Sequence, residues 1–198
     1  MSEDAASLHT AIKACTLCAE HLPLGPRPVV QFSETSRILI IGQAPGTKVH
    51  KSGIPWDDDS GDRLREWLQI DKADFYNPAQ IALVPMGFCY PGKAKGGDQP
   101  PRPECAPKWH DRVLDTLPKD RLTLLLGAYA QKAYMSNTSK LTMADRIRAW
   151  AECNEANSTL IPLPHPAWRS RLFMAKHTWF EDKALPRLRS AVDAVLAR

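Results

Sequence analysis

No stretch of this 198-residue chain stays apolar for long enough to cross a bilayer. The longest runs, Ile38 to Ile41 and Leu122 to Leu126, fall far short of the roughly 20 residues needed. The first ten residues also lack the features of an export signal: Glu3 and Asp4 stand where basic charge would be, and no apolar segment follows. No internal repeat is visible. These absences predict one soluble, cytoplasmic domain spanning residues 1–198, with no membrane partner. A strong net charge is missing too, at +4, although 26 Lys and Arg residues are enough to build a basic face. Charge therefore permits DNA binding without demanding it.

What is present is an ordinary globular composition, 43% hydrophobic and 24% charged, long enough to bury a sizeable core. Arg37 to Ile41, Ile81 to Val84, Leu122 to Leu126 and Thr159 to Leu163 each suit a strand buried on both faces. Between them, Asp62 to Ile70 reads as a helix capped by Ser60, with Leu64, Trp67 and Leu68 forming an apolar stripe. Pro107 to Leu117 and Ala128 to Met135 read as two more helices. The alternation predicts an α/β fold, a three-layer sandwich with a central, mostly parallel four-stranded sheet flanked by helices. Ligands of such sheets gather outside the carboxyl ends of the strands. There the chain carries three conspicuous loops: Gly42-Gln-Ala-Pro-Gly46, Gly87 to Gly92, and Pro164-His-Pro-Ala-Trp-Arg169. The Pro- and Gly-rich stretch Tyr90 to Pro107 is long for a connection, and so must be functional, pinned or disordered.

In a reducing compartment the five cysteines are more readily metal ligands, catalytic groups or buried thiols than a disulfide framework. Cys15 and Cys18 form a C-x2-C pair, and Cys89 and Cys105 bracket the long loop. Four cysteines in two groups point to one thiolate site. Spacing leaves it open between a 4Fe–4S cluster and a structural zinc. Cys153 lies outside the pattern.

This order of motifs, C-x2-C, then a strand ending in Gly-x-Ala-Pro-Gly, then two cysteines at this separation, resembles the iron–sulfur branches of the uracil-DNA glycosylase superfamily. The likeness runs from Cys15 to the final helix. It implies a base-excision repair enzyme, acting as a monomer on single- or double-stranded DNA, that hydrolyses the N-glycosidic bond of uracil or another deaminated base. It also implies a 4Fe–4S cluster on Cys15, Cys18, Cys89 and Cys105, stapling the N-terminal segment to a loop facing DNA.

Such a reaction needs a ring to stack on the flipped base, an acid to steady the sugar cation or orient water, and a donor for the departing base. Trp56 takes the place of the aromatic in the family's Gly-x-Pro-Phe segment, and with Gly42, Gln43 and Ala44 it would line the base pocket. The glycine motif supplies no carboxylate, since Gln43 and Ala44 replace the acids used elsewhere in the superfamily. A second iron–sulfur branch, of broad specificity, takes its Asp from just ahead of a similar Ser-Gly-Asp. In this chain that is Asp59 counted from the aromatic, or Asp58 counted back from Ser60; Asp59 is preferred. His165 resembles the donor of the family's His-Pro-Ser motif, with Ala167 in place of Ser. Trp168, Arg169 and Arg171 offer a wedge and cations for DNA.

Pro85 stands where the family reads the base edge with Asn, so uracil as sole substrate is not expected. Lys93 and Lys95 lie where another branch has a His-containing basic insert, but no His does. A lyase route is disfavoured because no lysine falls in the pocket motifs, although Lys48 and Lys51 are near in sequence. Two other classes stay open: a non-catalytic binder of nucleic acid on the same fold, and a zinc-stabilised α/β protein acting on nucleotides.

Overall fold

All four residues of Ile38–Ile41 are buried, as a strand covered on both faces requires, and they form the first strand of a computed structural model describing residues 3–138, 140–153 and 158–197. The elements in chain order are α1 (Ala5–Lys13), β1 (Ile38–Ile41), α2 (Thr47–Ser52), α3 (Asp59–Leu68), α4 (Lys72–Phe75), β2 (Ile81–Leu83), β3 (Lys93–Ala94), β4 (Gly97–Asp98), α5 (Cys105–Thr116), β5 (Leu122–Leu126), α6 (Gly127–Tyr134), α7 (Met143–Glu152), β6 (Leu160–Leu163), α8 (Ser170–Lys176) and α9 (Leu185–Leu196). The main sheet has the order β2-β1-β5-β6 and is wholly parallel. Ile38 pairs with Ile81 on one side and Leu122 on the other, and Leu126 pairs with Leu163. Pro162 is tolerated in β6 because that strand is an edge.

Strand alternation sorts the core into two layers. Ile38 and Ile40 pack with Leu64, Trp67 and Leu68 of α3, Ile147 and Trp150 of α7, and Leu188 and Val192 of α9. Leu39 and Ile41 face the other way, onto Leu8 and Ile12 of α1 and Trp109 and Val113 of α5. The α/β three-layer sandwich expected from the alternation of strands and helices is therefore the observed fold.

Two local readings change. The cap of α3 is Asp58 rather than Ser60: its backbone is extended, with φ −156°, and its Oδ1 accepts the Gly61 amide at 2.9 Å, so the helix begins earlier than expected. The long loop after Cys89 is pinned, because β3 and β4 fold it into a short antiparallel hairpin with Lys93 opposite Asp98. Gly96, at φ +91°, makes the tight turn. No helix among the described residues is long and apolar enough to cross a membrane.

Candidate active-site cleft and thiol hollow

The chain leaves β1 for β2 on one side and returns to β5 on the other, so the strand order reverses between β1 and β5. A cleft of about 810 Å³ opens there, at the carboxyl ends of the strands. Its lining includes Gly42, Gln43 and Ala44 after β1, Trp56 and Asp58 ahead of α3, and His165, Trp168 and Arg169 after β6.

Trp56 is held by its surroundings. Its backbone lies in the left-handed region, at φ +58°, which is strained for a bulky residue. A Cβ on Gly61 would stand 1.8 Å from the Trp56 carbonyl oxygen, and one on Gly42 would stand 2.7 Å from ring atom Cζ2. Two glycines thus make room for the turn and for the ring. The indole in turn stacks near the His165 imidazole, with ring centroids 5.6 Å apart and planes 29° from parallel.

His165 is half-buried, and its loss of solvent drives its pKa down to about 4, so the imidazole is neutral at pH 7. A neutral ring can donate one N–H to an oxygen that gains charge. Arg63 of α3 holds the loop behind it, donating to the Ala167 carbonyl at 2.7 Å and the Pro166 carbonyl at 3.3 Å.

The three consecutive acids part company. Asp58 lines the cleft, half-buried, and burial pushes its carboxyl above the usual range while the Gly61 and Ser60 amides pull it back. Asp59 faces solvent, and Lys48 at 2.7 Å holds its pKa below the usual value. Asp57 does not line the cleft. Arg171 lies outside as well, on a neighbouring hollow with Glu66 and Glu181. Trp168 projects from the rim and is 67% exposed.

Sequence reasoning named Lys93 and Lys95 without placing them in the pocket, and it missed Asp98 altogether. Lys93, Lys95 and Asp98 bring the hairpin into the cleft wall, so lysines do reach the pocket although none falls in its motifs. Lys93 Nζ sits 2.9 Å from Asp98 Oδ1. Arg169 donates to the Gly96 carbonyl at 2.8 Å, and Gln43 Nε2 to the Gln99 carbonyl at 3.4 Å, joining the hairpin to both neighbouring loops. The missed signal was the Gly-Gly turn between Lys95 and Asp98. Pro85 lines the cleft, and its carbonyl accepts from Nε2 of the buried His110 at 3.0 Å, which leaves His110 Nδ1 to accept the Tyr134 hydroxyl.

The four cysteines meet elsewhere. Cys15, Cys18, Cys89 and Cys105 line one hollow walled by Leu22, Pro26, Pro28, Phe88 and Trp109. Burial raises the Cys89 thiol to about 11 and the Cys105 thiol to about 12, and the Phe88 amide donates to Cys105 Sγ at 3.3 Å. An all-thiol donor set suits a soft thiolate-bound metal. Among the described residues, no three His, Cys, Asp or Glu side chains are arranged to hold a single metal ion. Cys153 stands apart from the hollow, its carbonyl accepting from Arg187.

A parallel sheet with a ring, a carboxylate and a neutral imidazole facing one cleft at its strand ends has the make-up of a glycosylase-like hydrolase. The family model described as the Uracil DNA glycosylase superfamily matches residues 29–189, most of the chain, and the chain belongs to that superfamily. Membership implies DNA as the partner and base-excision repair as the general role.

Proposed function

We propose that the chain is a monomeric, monofunctional DNA glycosylase, one domain over residues 1–198, that hydrolyses the N-glycosidic bond of uracil or another deaminated base. The observation that carries this reading is the meeting of Trp56, Asp58 and His165 in one cleft of a superfamily member.

The flipped base stacks on Trp56. Gly42, Gln43 and Ala44 border it, with Trp168 filling the vacated stack and Arg169 and Arg171 gripping phosphates. As the C1′–N bond breaks, its electron pair leaves with the base, and His165 donates a hydrogen bond to the base oxygen. Asp58 steadies the positive sugar and takes a proton from the water whose oxygen bonds C1′. Support for Asp58 over Asp59 comes from its place in the cleft and from the solvent-facing pairing of Asp59 with Lys48. With Pro85 where the superfamily has Asn, no side-chain amide reads the base from that position, which supports a specificity broader than uracil.

The reading includes a 4Fe–4S cluster on Cys15, Cys18, Cys89 and Cys105, as in the iron–sulfur branch with broad specificity. Its support is the all-thiol hollow. When bound, the cluster supplies a structural tie and no step of the hydrolysis. The four cysteines join the segment after α1 to both ends of the hairpin loop.

The test is incubation of anaerobically purified protein with single- and double-stranded oligonucleotides carrying uracil, hypoxanthine or xanthine, followed by alkali. Strand scission at the modified base is expected. DNA binding without scission on any substrate overturns the glycosylase reading in favour of a non-catalytic binder.

A further inference from the structure

Gly46 closes the glycine motif at the N-terminal end of α2, and two carboxylates from distant parts of the chain face it. A Cβ built on Gly46 would stand 3.3 Å from Asp98 Oδ2 and 4.0 Å from Asp58 Oδ2. Both residues line the cleft. Asp58 is anchored through Oδ1, which caps α3, leaving Oδ2 toward the cleft. Asp98 is anchored similarly. Its Oδ1 is buried against the Lys93 ammonium at 2.9 Å, and its Oδ2 faces Gly46.

The position of Asp98 is fixed by more than that ion pair. The hairpin register sets Asp98 opposite Lys93. The Gln99 amide donates to the Gly92 carbonyl at 2.8 Å, and Gln99 Nε2 to the Lys93 carbonyl at 3.3 Å. Arg169 and Gln43 tie the hairpin across the cleft from either side. The carboxylate is therefore held on a braced wall rather than on a free loop.

We infer that Asp98 is a second catalytic carboxylate of this cleft, holding the attacking water together with Asp58. The inference rests on the glycosylase reading above. A water has two protons and two lone pairs. To attack C1′ it must point one lone pair at the carbon while each O–H finds an acceptor. Asp58 Oδ2 receives the proton that is transferred. Asp98 Oδ2 accepts the second O–H as a hydrogen bond and keeps it there, so the water oxygen arrives aligned. The O–C1′ bond forms, the C1′–N bond breaks, one proton passes to Asp58, and Asp98 ends as it began. The absence of an acid from the Gly42-to-Gly46 motif fits this arrangement: the two carboxylates that approach Gly46 both come from outside the motif.

The experiment measures single-turnover excision, with enzyme in excess, by the wild-type protein and the Asp98→Ala, Asp58→Asn, double Asp58→Asn/Asp98→Ala and Gln99→Ala variants. Affinity for an uncleavable substrate analogue in the same oligonucleotide is read alongside. Asp98→Ala removes the acceptor, whereas an Asn there would keep an amide oxygen able to accept the O–H; Gln99→Ala removes a brace of the hairpin and leaves the carboxylate. The expected result is a loss of at least about tenfold in rate for Asp98→Ala with no loss of affinity, and a rate within about threefold of wild type for Gln99→Ala. The double variant should be no slower than Asp58→Asn alone, because two residues acting on one water do not lose activity independently. An Asp98→Ala protein that excises at the wild-type rate, or one that slows only as Gln99→Ala does, overturns the role of Asp98 while leaving the glycosylase reading in place. A wild-type protein inactive on every substrate overturns both.

Discussion

Replacing Asp58 with Asn separates catalysis from folding more cleanly than any other change in this cleft. The residue does two things: Oδ1 caps α3 through the Gly61 amide at 2.9 Å, and Oδ2 faces the cleft. Asn caps a helix about as well as Asp, and it removes a carboxylate that burial already disfavours in its charged form. Stability should therefore hold to within about 0.5 kcal/mol. The rate should not, because an amide cannot accept the proton: a loss of about 10²- to 10⁴-fold is expected, or about 3–5 kcal/mol of transition-state stabilisation. Asp58→Ala loses the cap as well, at a cost of about 1 kcal/mol, which for a chain of this size lowers Tm by about 2–4 °C. Asp59→Asn breaks only a solvent-facing pair with Lys48 and should leave the rate near wild type. Single-turnover excision with alkaline cleavage gives the rates, and thermal melting followed by circular dichroism gives the stabilities. Full activity in Asp58→Asn, or an equal loss in Asp59→Asn, would refute the assignment of the acid.

Three further outcomes follow from the geometry. Gly42→Ala puts a methyl 2.7 Å from Trp56 Cζ2, so the ring must leave its place beside His165; destabilisation of about 1–3 kcal/mol and weaker binding of substrate are expected, read by urea unfolding and by titration with labelled oligonucleotide. Burial holds the His165 pKa near 4 while the unfolded chain titrates near 6.5, so the unfolded state binds more protons in between. Stability from this source is complete above about pH 6.5 and lost as pH falls toward 4, so unfolding free energies at pH 7 and 4.5 should differ by about 2–3 kcal/mol less in His165→Gln than in wild type. Cys89→Ser should yield a colourless protein with depleted iron and a lower Tm, measured by visible absorbance and metal analysis; an unchanged brown protein would remove Cys89 from the ligand set.

The sheet was legible because its strands are short, continuously apolar runs such as Leu122 to Leu126, a pattern that burial on both faces imposes. The loops were legible because glycines and prolines mark the strand ends that border the cleft. Orientation was not. Asp58 and Asp59 are adjacent and chemically identical, and only the helical phase that starts at Asp59 turns one into the cleft and the other toward Lys48. The start of α3 itself was misplaced because Ser60 and Asp58 are both good caps, and the choice depends on which backbone is extended. Asp98 was invisible for another reason: β3 and β4 have two residues each, too few for alternation to register, and the hairpin owes its place to contacts with residues as distant as Arg169.

The clasp of Arg63 on the Pro166 and Ala167 carbonyls gives α3 a mechanical meaning beyond packing. Asp58 sits just ahead of the first turn of that helix, and Arg63, in its second turn, grips the chain immediately after His165. In the mechanism proposed above, the group on the water's side of the scissile bond and the loop that carries the group on the base's side are therefore tied to one helix instead of standing on two independent loops. Their spacing is set like the jaws of a calliper, by the length of a helix.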